Sequence, residues 1–65
     1  MNFPKYQQHQ EKVRTLEKLL RRANLMQDRK MYVEVDGQQV LKTAEEITKM
    51  IDHEAAEARA ALHAI

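Results

Sequence analysis

Two long stretches of the chain place apolar residues at the spacing of one helix face. The first is predicted to form a helix over about 4–26, with Pro4 in its first turn, where a missing N–H costs nothing. Its apolar stripe contains Tyr6, His9, Val13, Leu16, Leu19, Leu20, Ala23 and Met26. The second helix is predicted over about 44–64, with a stripe of Ile47, Met50, Ile51, Ala55, Ala58, Leu62 and Ile65.

The segment between these helices has the pattern of a β-hairpin over about 31–42. Asp36-Gly37 joins two runs of β-favouring residues, and this dipeptide is a strong signal for a two-residue turn. The turn sets the register, so that Val33 opposes Val40 and Tyr32 opposes Leu41. One face should therefore carry Met31, Val33, Val35 and Val40 toward a core. Thr43 and Glu46 then form a predicted capping box at the start of the second helix.

These elements predict a single α+β domain over residues 1–65. Two long antiparallel helices are connected by the two-stranded hairpin, whose apolar face closes one end of the core they share. A chain of this length buries only about 60% of its unfolded surface, so we expect a core too thin to enclose a pocket. Thin cores of this kind are often completed by another chain, and a homodimer is left open.

Composition narrows the classes of function. The chain has no cysteine, no serine, one glycine and three threonines, which excludes disulfides, thiolate metal sites and a glycine-rich phosphate loop. We therefore predict no enzymatic activity, no cofactor and no bound metal. His53 and Glu57 lie four residues apart, a spacing that suits metal binding on a helix, and Asp52 is adjacent. A zincin motif needs a second histidine at the position of Glu57, so we interpret these residues as part of a solvated acidic face.

The first residues lack the features of a signal peptide and no membrane segment is apparent, so a cytoplasmic location is expected.

Charge is distributed unevenly although the formal net charge is only +1. Residues 1–30 carry eight Lys/Arg and three acids, and residues 31–65 carry three Lys/Arg and seven acids, so the two helices should attract each other. On the first helix, a basic face opposite the apolar stripe contains Arg14, Lys18, Arg21 and Arg22. That face can bind another protein or a phosphate backbone, or it can simply be solvated.

The hairpin offers a second candidate surface. Tyr32 and Leu41 should point away from the core, and the sheet edges near Gln38 and Gln39 should have unpaired backbone groups. Exposed apolar pairs beside free edges favour contact with another chain, although a surface tyrosine covered by a leucine is equally compatible with the pattern.

The order of helix, Asp-Gly hairpin and capped helix resembles the W-type head-completion protein of lambda-like phages. The matching positions are Asp36-Gly37, two polar residues, Val40, and a helix with Ile47 and Ile51. The resemblance implies a virion protein that joins the filled head to the tail machinery.

Together these patterns predict a small interaction protein of bacterial or phage type that docks on a larger protein and modulates or inhibits it. The predicted partner-binding residues are Arg14, Lys18, Arg21, Arg22, Tyr32, Gln38, Gln39 and Leu41. The alternatives are the virion connector and a nucleic-acid-binding accessory protein that uses the basic first helix.

Overall fold

A computed structural model describes residues 2–63 of the chain. Its elements follow in the order α1 (Phe3–Leu25), β1 (Lys30–Val35), β2 (Gln38–Thr43) and α2 (Ala44–His63). The two strands form one antiparallel sheet, and the two helices pack against each other. The predicted α+β architecture, two helices joined by a hairpin, is confirmed.

The first helix begins and ends through local hydrogen bonds. Asn2 is its N-cap, where its side-chain oxygen accepts from the backbone N–H of Lys5 at 3.1 Å, and Pro4 lies in the first turn as predicted. At the other end the N–H of Met26 donates to the carbonyl of Ala23 at 3.0 Å, and Met26 itself has extended backbone angles. The prediction that Met26 belongs to the buried stripe is wrong, because the helix has ended before this residue and its side chain is exposed.

The hairpin turns at Asp36 and Gly37, which have φ of 51° and 80°. Positive φ at both central residues defines a type I′ turn, whose twist matches that of the strands it joins. The strands pair in the predicted register, Val33 with Val40 and Tyr32 with Leu41. Val33 is buried, while Met31, Val35 and Val40 are partly buried, so the predicted inner face is confirmed.

The second helix starts directly after β2 with the predicted capping box. The N–H of Glu46 donates to the Thr43 hydroxyl at 3.1 Å, and the N–H of Thr43 donates to a Glu46 carboxylate oxygen at 2.9 Å. The backbone and hydroxyl hydrogen bonds from Thr43 lower the pKa of the Glu46 carboxyl below its ordinary value. The box thus satisfies two backbone donors and favours a charged glutamate at the positive end of the helix.

The core lies where the hairpin covers the helix pair. Its buried cluster consists of Leu16, Ala23, Val33, Ala44 and Ile47. Toward the far end of the helix pair, Ala58 and Ala61 are the buried residues of α2. There the backbone N–H of Asn2 donates to the carbonyl of Ala61 at 3.0 Å, so α1 begins beside the end of α2 and the helices are antiparallel. Ile65, predicted on the second stripe, lies outside the described residues.

The attraction expected between a basic α1 and an acidic α2 does not take the form of Lys or Arg contacts. Among residues 2–63, two basic side chains closely contact an acidic one. His9 contacts Glu54 and joins the helices, whereas Arg29, which forms an ion pair with Glu45, belongs to the connector. Arg14, Lys18, Arg21 and Arg22 lie on the side of α1 that faces away from α2, so their side chains extend into solvent instead of across the helix contact. Lys5 does lie near Glu57 of α2, but within residues 2–63 it forms no ion pair.

Candidate protein-interaction surface

The side of the hairpin that faces away from the helices carries two large apolar side chains. Tyr32 is 60% exposed and Leu41 is 46% exposed, and the register places them directly opposite each other. We call this side the outer face; it comprises Lys30, Tyr32, Glu34, Gln39 and Leu41, all of them exposed. The prediction that Tyr32 and Leu41 point away from the core is confirmed, because strand side chains alternate and Val33 between them faces inward.

The backbone around these two residues has free hydrogen-bonding groups. Next to a two-residue turn, the pair Val35–Gln38 exchanges hydrogen bonds, and non-bonded and bonded pairs alternate from there. Tyr32–Leu41 and Glu34–Gln39 are therefore non-bonded pairs, whose N–H and C=O groups point outward from the edges of the sheet. A two-stranded sheet has no inner strand, so both edges offer such groups to an approaching chain.

The two glutamines after the turn lie on opposite sides of β2. Gln39 opposes Glu34 and belongs to the outer face, whereas Gln38 opposes Val35 and has the same orientation as the inward-facing residues. Both side chains are exposed because they lie at the tip of the hairpin. Of the predicted hairpin contacts, Tyr32, Gln39 and Leu41 thus share one face and Gln38 does not.

The predicted basic residues form a separate surface on α1. Arg14, Lys18, Arg21 and Arg22 are all exposed, at positions that share one helix side opposite the stripe packed on α2. The side of α1 that borders the hairpin is a different one and includes Lys12, Thr15 and Leu19. The structure therefore divides the predicted site residues between two surfaces instead of joining them.

Beside β1 the structure has a feature that the sequence analysis missed. An open cleft of about 890 Å³ runs between α1 and the hairpin. Apolar side chains of both helices and of β1 contribute to its lining: Leu16, Leu19, Val33, Val35 and Met50. The expectation that a thin core leaves no pocket did not include this cleft. The cleft is not enclosed by the core; it lies on the surface, where the two-stranded hairpin meets α1.

The residues considered for metal binding are not gathered into a site. Asp52 and His53 are exposed on α2, and Glu57 lies beside Lys5 near the start of α1. His9, on the apolar stripe of α1, contacts Glu54 through its Nδ1 atom at 2.5 Å. Within the part of the chain that the structure describes, no group of three potential ligands could hold a metal ion.

Comparison of the chain with known protein families, with curated proteins and with solved structures finds no match. The resemblance to phage head-completion proteins thus stays a prediction. Neither helix, within residues 2–63, has the combined length and hydropathy that crossing a bilayer requires.

Proposed function

We propose that this protein is a non-enzymatic interaction module that docks on a larger protein through the outer face of its hairpin and modulates that protein by covering part of its surface. The observation that supports this most directly is the exposed Tyr32–Leu41 pair. Aromatic residues in particular are enriched where protein surfaces bury against each other, and an apolar cross-strand pair is a rigid anchor of this type.

These two side chains do not belong to the core. The apolar contacts of the core come from the opposite face of the hairpin, chiefly Val33. Tyr32 and Leu41 cover each other only in part and leave about half of each surface in water. Burying such surface against a partner stabilises a complex, and the free backbone groups at the same positions add hydrogen bonds.

The oligomeric state of the chain before it docks separates two versions of this proposal. A second copy of the chain would produce a homodimer of twice the mass in dilute solution. A role as a head-completion protein would instead leave the chain monomeric until it meets a ring-shaped assembly. Light scattering coupled to size-exclusion chromatography separates these two cases.

The test is affinity capture from an extract of the cells that make the protein. Tagged wild-type protein is compared with the double variant Tyr32→Ser, Leu41→Ser and with the double variant Arg21→Ala, Arg22→Ala. We expect one protein partner to be retained by the wild type and by the arginine variant and lost by the hairpin variant. Equal retention by all three, with circular dichroism confirming that each is folded, would contradict the proposal.

Nucleic-acid binding by α1 is the second candidate. It is favoured by one observation: among residues 2–63, Arg14, Lys18, Arg21 and Arg22 are exposed and none forms an ion pair. If these residues contact phosphates, the affinity for DNA or RNA should fall steeply with salt, and Arg21→Ala with Arg22→Ala should weaken binding equally for all sequences. Binding that is unaffected by salt or by these substitutions would exclude this candidate.

A further inference from the structure

The edge of β1 that faces α1 combines free backbone groups with the cleft described above. Tyr32 and Glu34 direct their N–H and C=O groups out of this edge, because both belong to non-bonded pairs of the hairpin. Among the described residues, no turn, loop or side-chain hydrogen bond uses these groups. The same two residues line the cleft, so the unpaired edge of the sheet opens directly into it.

The shape of the cleft suits an extended segment. Along α1 it reaches from Gln8 to Leu19, which at 1.5 Å per residue is about 17 Å. An extended strand of about five residues has the same length. A strand added beside β1 would lie over the apolar side chains of Leu16 and Leu19 and would bond to the backbone of Tyr32 and Glu34.

The charge around the cleft is opposite to that of the rest of α1. Four carboxylates, Glu11, Glu34, Asp36 and Glu54, line it together with a single cation, Lys12, and of these acids Glu54 is in contact with His9. Because the chain as a whole has a formal net charge of +1, this concentration of acid is local. An occupant with basic side chains next to Glu34 and Asp36 would complement the charge, whereas an acidic one would be repelled.

A second copy of this chain does not suit the position. To pair either β1 or β2 of its own hairpin here, the copy would bring the helix packed on that strand, α1 or α2, to the same side of the enlarged sheet. That space is already occupied by α1 of the first copy, which borders the cleft. The occupant must therefore be a strand with no helix packed against its inner side.

We propose that the cleft beside β1 binds an extended segment of a partner protein by strand addition, and that this segment alternates apolar residues facing α1 with Lys or Arg residues on the outer face. This proposal rests on the proposed function, because it specifies the sequence pattern of one segment of the partner that docks on the hairpin. Residues opposite Tyr32 and Glu34 in an added antiparallel strand share their outer orientation, so these are the positions for the basic side chains.

The experiment uses the full chain and synthetic peptides of about seven residues, the length of the cleft with one flanking residue at each end. A fluorescent peptide that alternates lysine and valine is compared with one that alternates glutamate and valine. Two further peptides carry backbone N-methyl groups, at the lysines in one and at the valines in the other. Fluorescence anisotropy reports binding.

We expect the lysine–valine peptide to bind and the glutamate–valine peptide not to bind. N-methylation at the lysines should abolish binding, because those N–H groups face β1, whereas N-methylation at the valines should leave it intact. Glu34→Lys should weaken binding about tenfold, while the matched control Glu17→Lys, which changes the same charge on an exposed part of α1 outside the cleft, should have little effect.

Two results would overturn the strand-addition proposal. One is the absence of binding by the lysine–valine peptide at concentrations up to about 1 mM. The other is equal binding by both N-methylated peptides, which would mean attraction by charge alone. Loss of the captured partner on Tyr32→Ser with Leu41→Ser would in that case still support docking by the outer face, so the two proposals fail separately.

Discussion

His9 on α1 and Glu54 on α2 are joined by a 2.5 Å contact between the imidazole Nδ1 and a carboxylate oxygen. Their side chains are only 15% and 18% exposed, so this contact between the helices is shielded from most of the solvent. Within residues 2–63 it is the only close contact between a basic and an acidic side chain that joins the two helices. The buried residues in the nearby C-terminal half of α2 are alanines, whose small side chains bury little surface. A polar contact here therefore helps to keep the two helices in register.

Replacing His9 with alanine should destabilise the fold. The carboxylate of Glu54 would lose its partner while still largely shielded from water, and the free energy of unfolding should fall by about 1–2 kcal/mol in urea titration. His53→Ala, at an exposed position of α2, is the control and should have little effect. Similar losses for the two variants would show that the His9–Glu54 contact contributes nothing specific.

Removing the hydroxyl of Thr43 should weaken the start of α2. Thr43→Ala leaves the N–H of Glu46 without its acceptor, and loss of such a cap costs about 1 kcal/mol. Thermal unfolding followed by circular dichroism measures the effect. Thr15→Ala, on an exposed position inside α1, should be neutral or slightly stabilising because alanine has the higher helix propensity. A neutral Thr43→Ala would mean that the capping box does not hold in solution.

The same capping box should make stability depend on acid pH. The pKa of Glu46 is lowered in the folded chain from its ordinary value of 4.5, chiefly by the hydrogen bond from the Thr43 backbone. Its stabilising contribution is therefore complete above pH 4.5 and is lost as the pH falls through the lowered pKa. Urea titrations of wild type and Glu46→Gln between about pH 6 and 3 should show a stability difference that shrinks toward low pH. A difference that grows toward acid would have the wrong sign for this explanation.

The turn of the hairpin should tolerate one substitution and resist another. Gly37 has φ of 80° with open space where a Cβ would lie, so Gly37→Ala meets no clash but forces a left-handed conformation that costs about 1–2 kcal/mol. Asp36→Asn keeps a residue suited to positive φ and should change stability by less than about 0.5 kcal/mol. Equal effects in urea titration would argue against the type I′ turn.

The features predicted correctly from the sequence are those determined by neighbouring residues. The Asp36-Gly37 turn defines the register of the strands, and the register then decides that Tyr32 faces out and Val33 faces in. The Thr43–Glu46 box is likewise formed by residues three positions apart. In each case the periodicity or the spacing is enough, because no distant element needs to be placed first.

The features that were missed depend on how whole elements lie against each other. The cleft exists because the edge of β1 stands apart from α1, and no local pattern encodes that separation. The partner of His9 is forty-five positions away on the other helix, so the spacing along α1 could indicate only a position near the core. Met26 continues the seven-residue repeat but follows the last helical residue, a boundary that the repeat alone does not show.

Position-specific photo-cross-linking tests most directly whether the outer face of the hairpin is the docking surface. The cross-linking residue p-benzoylphenylalanine replaces either Tyr32 or the exposed Asp52 on α2, and each protein is irradiated in an extract of the cells that make it. We predict a discrete adduct with one protein from position 32, suppressed by Leu41→Ser, and none from position 52. Adducts of equal yield from both positions, or none from position 32, would contradict the proposed function.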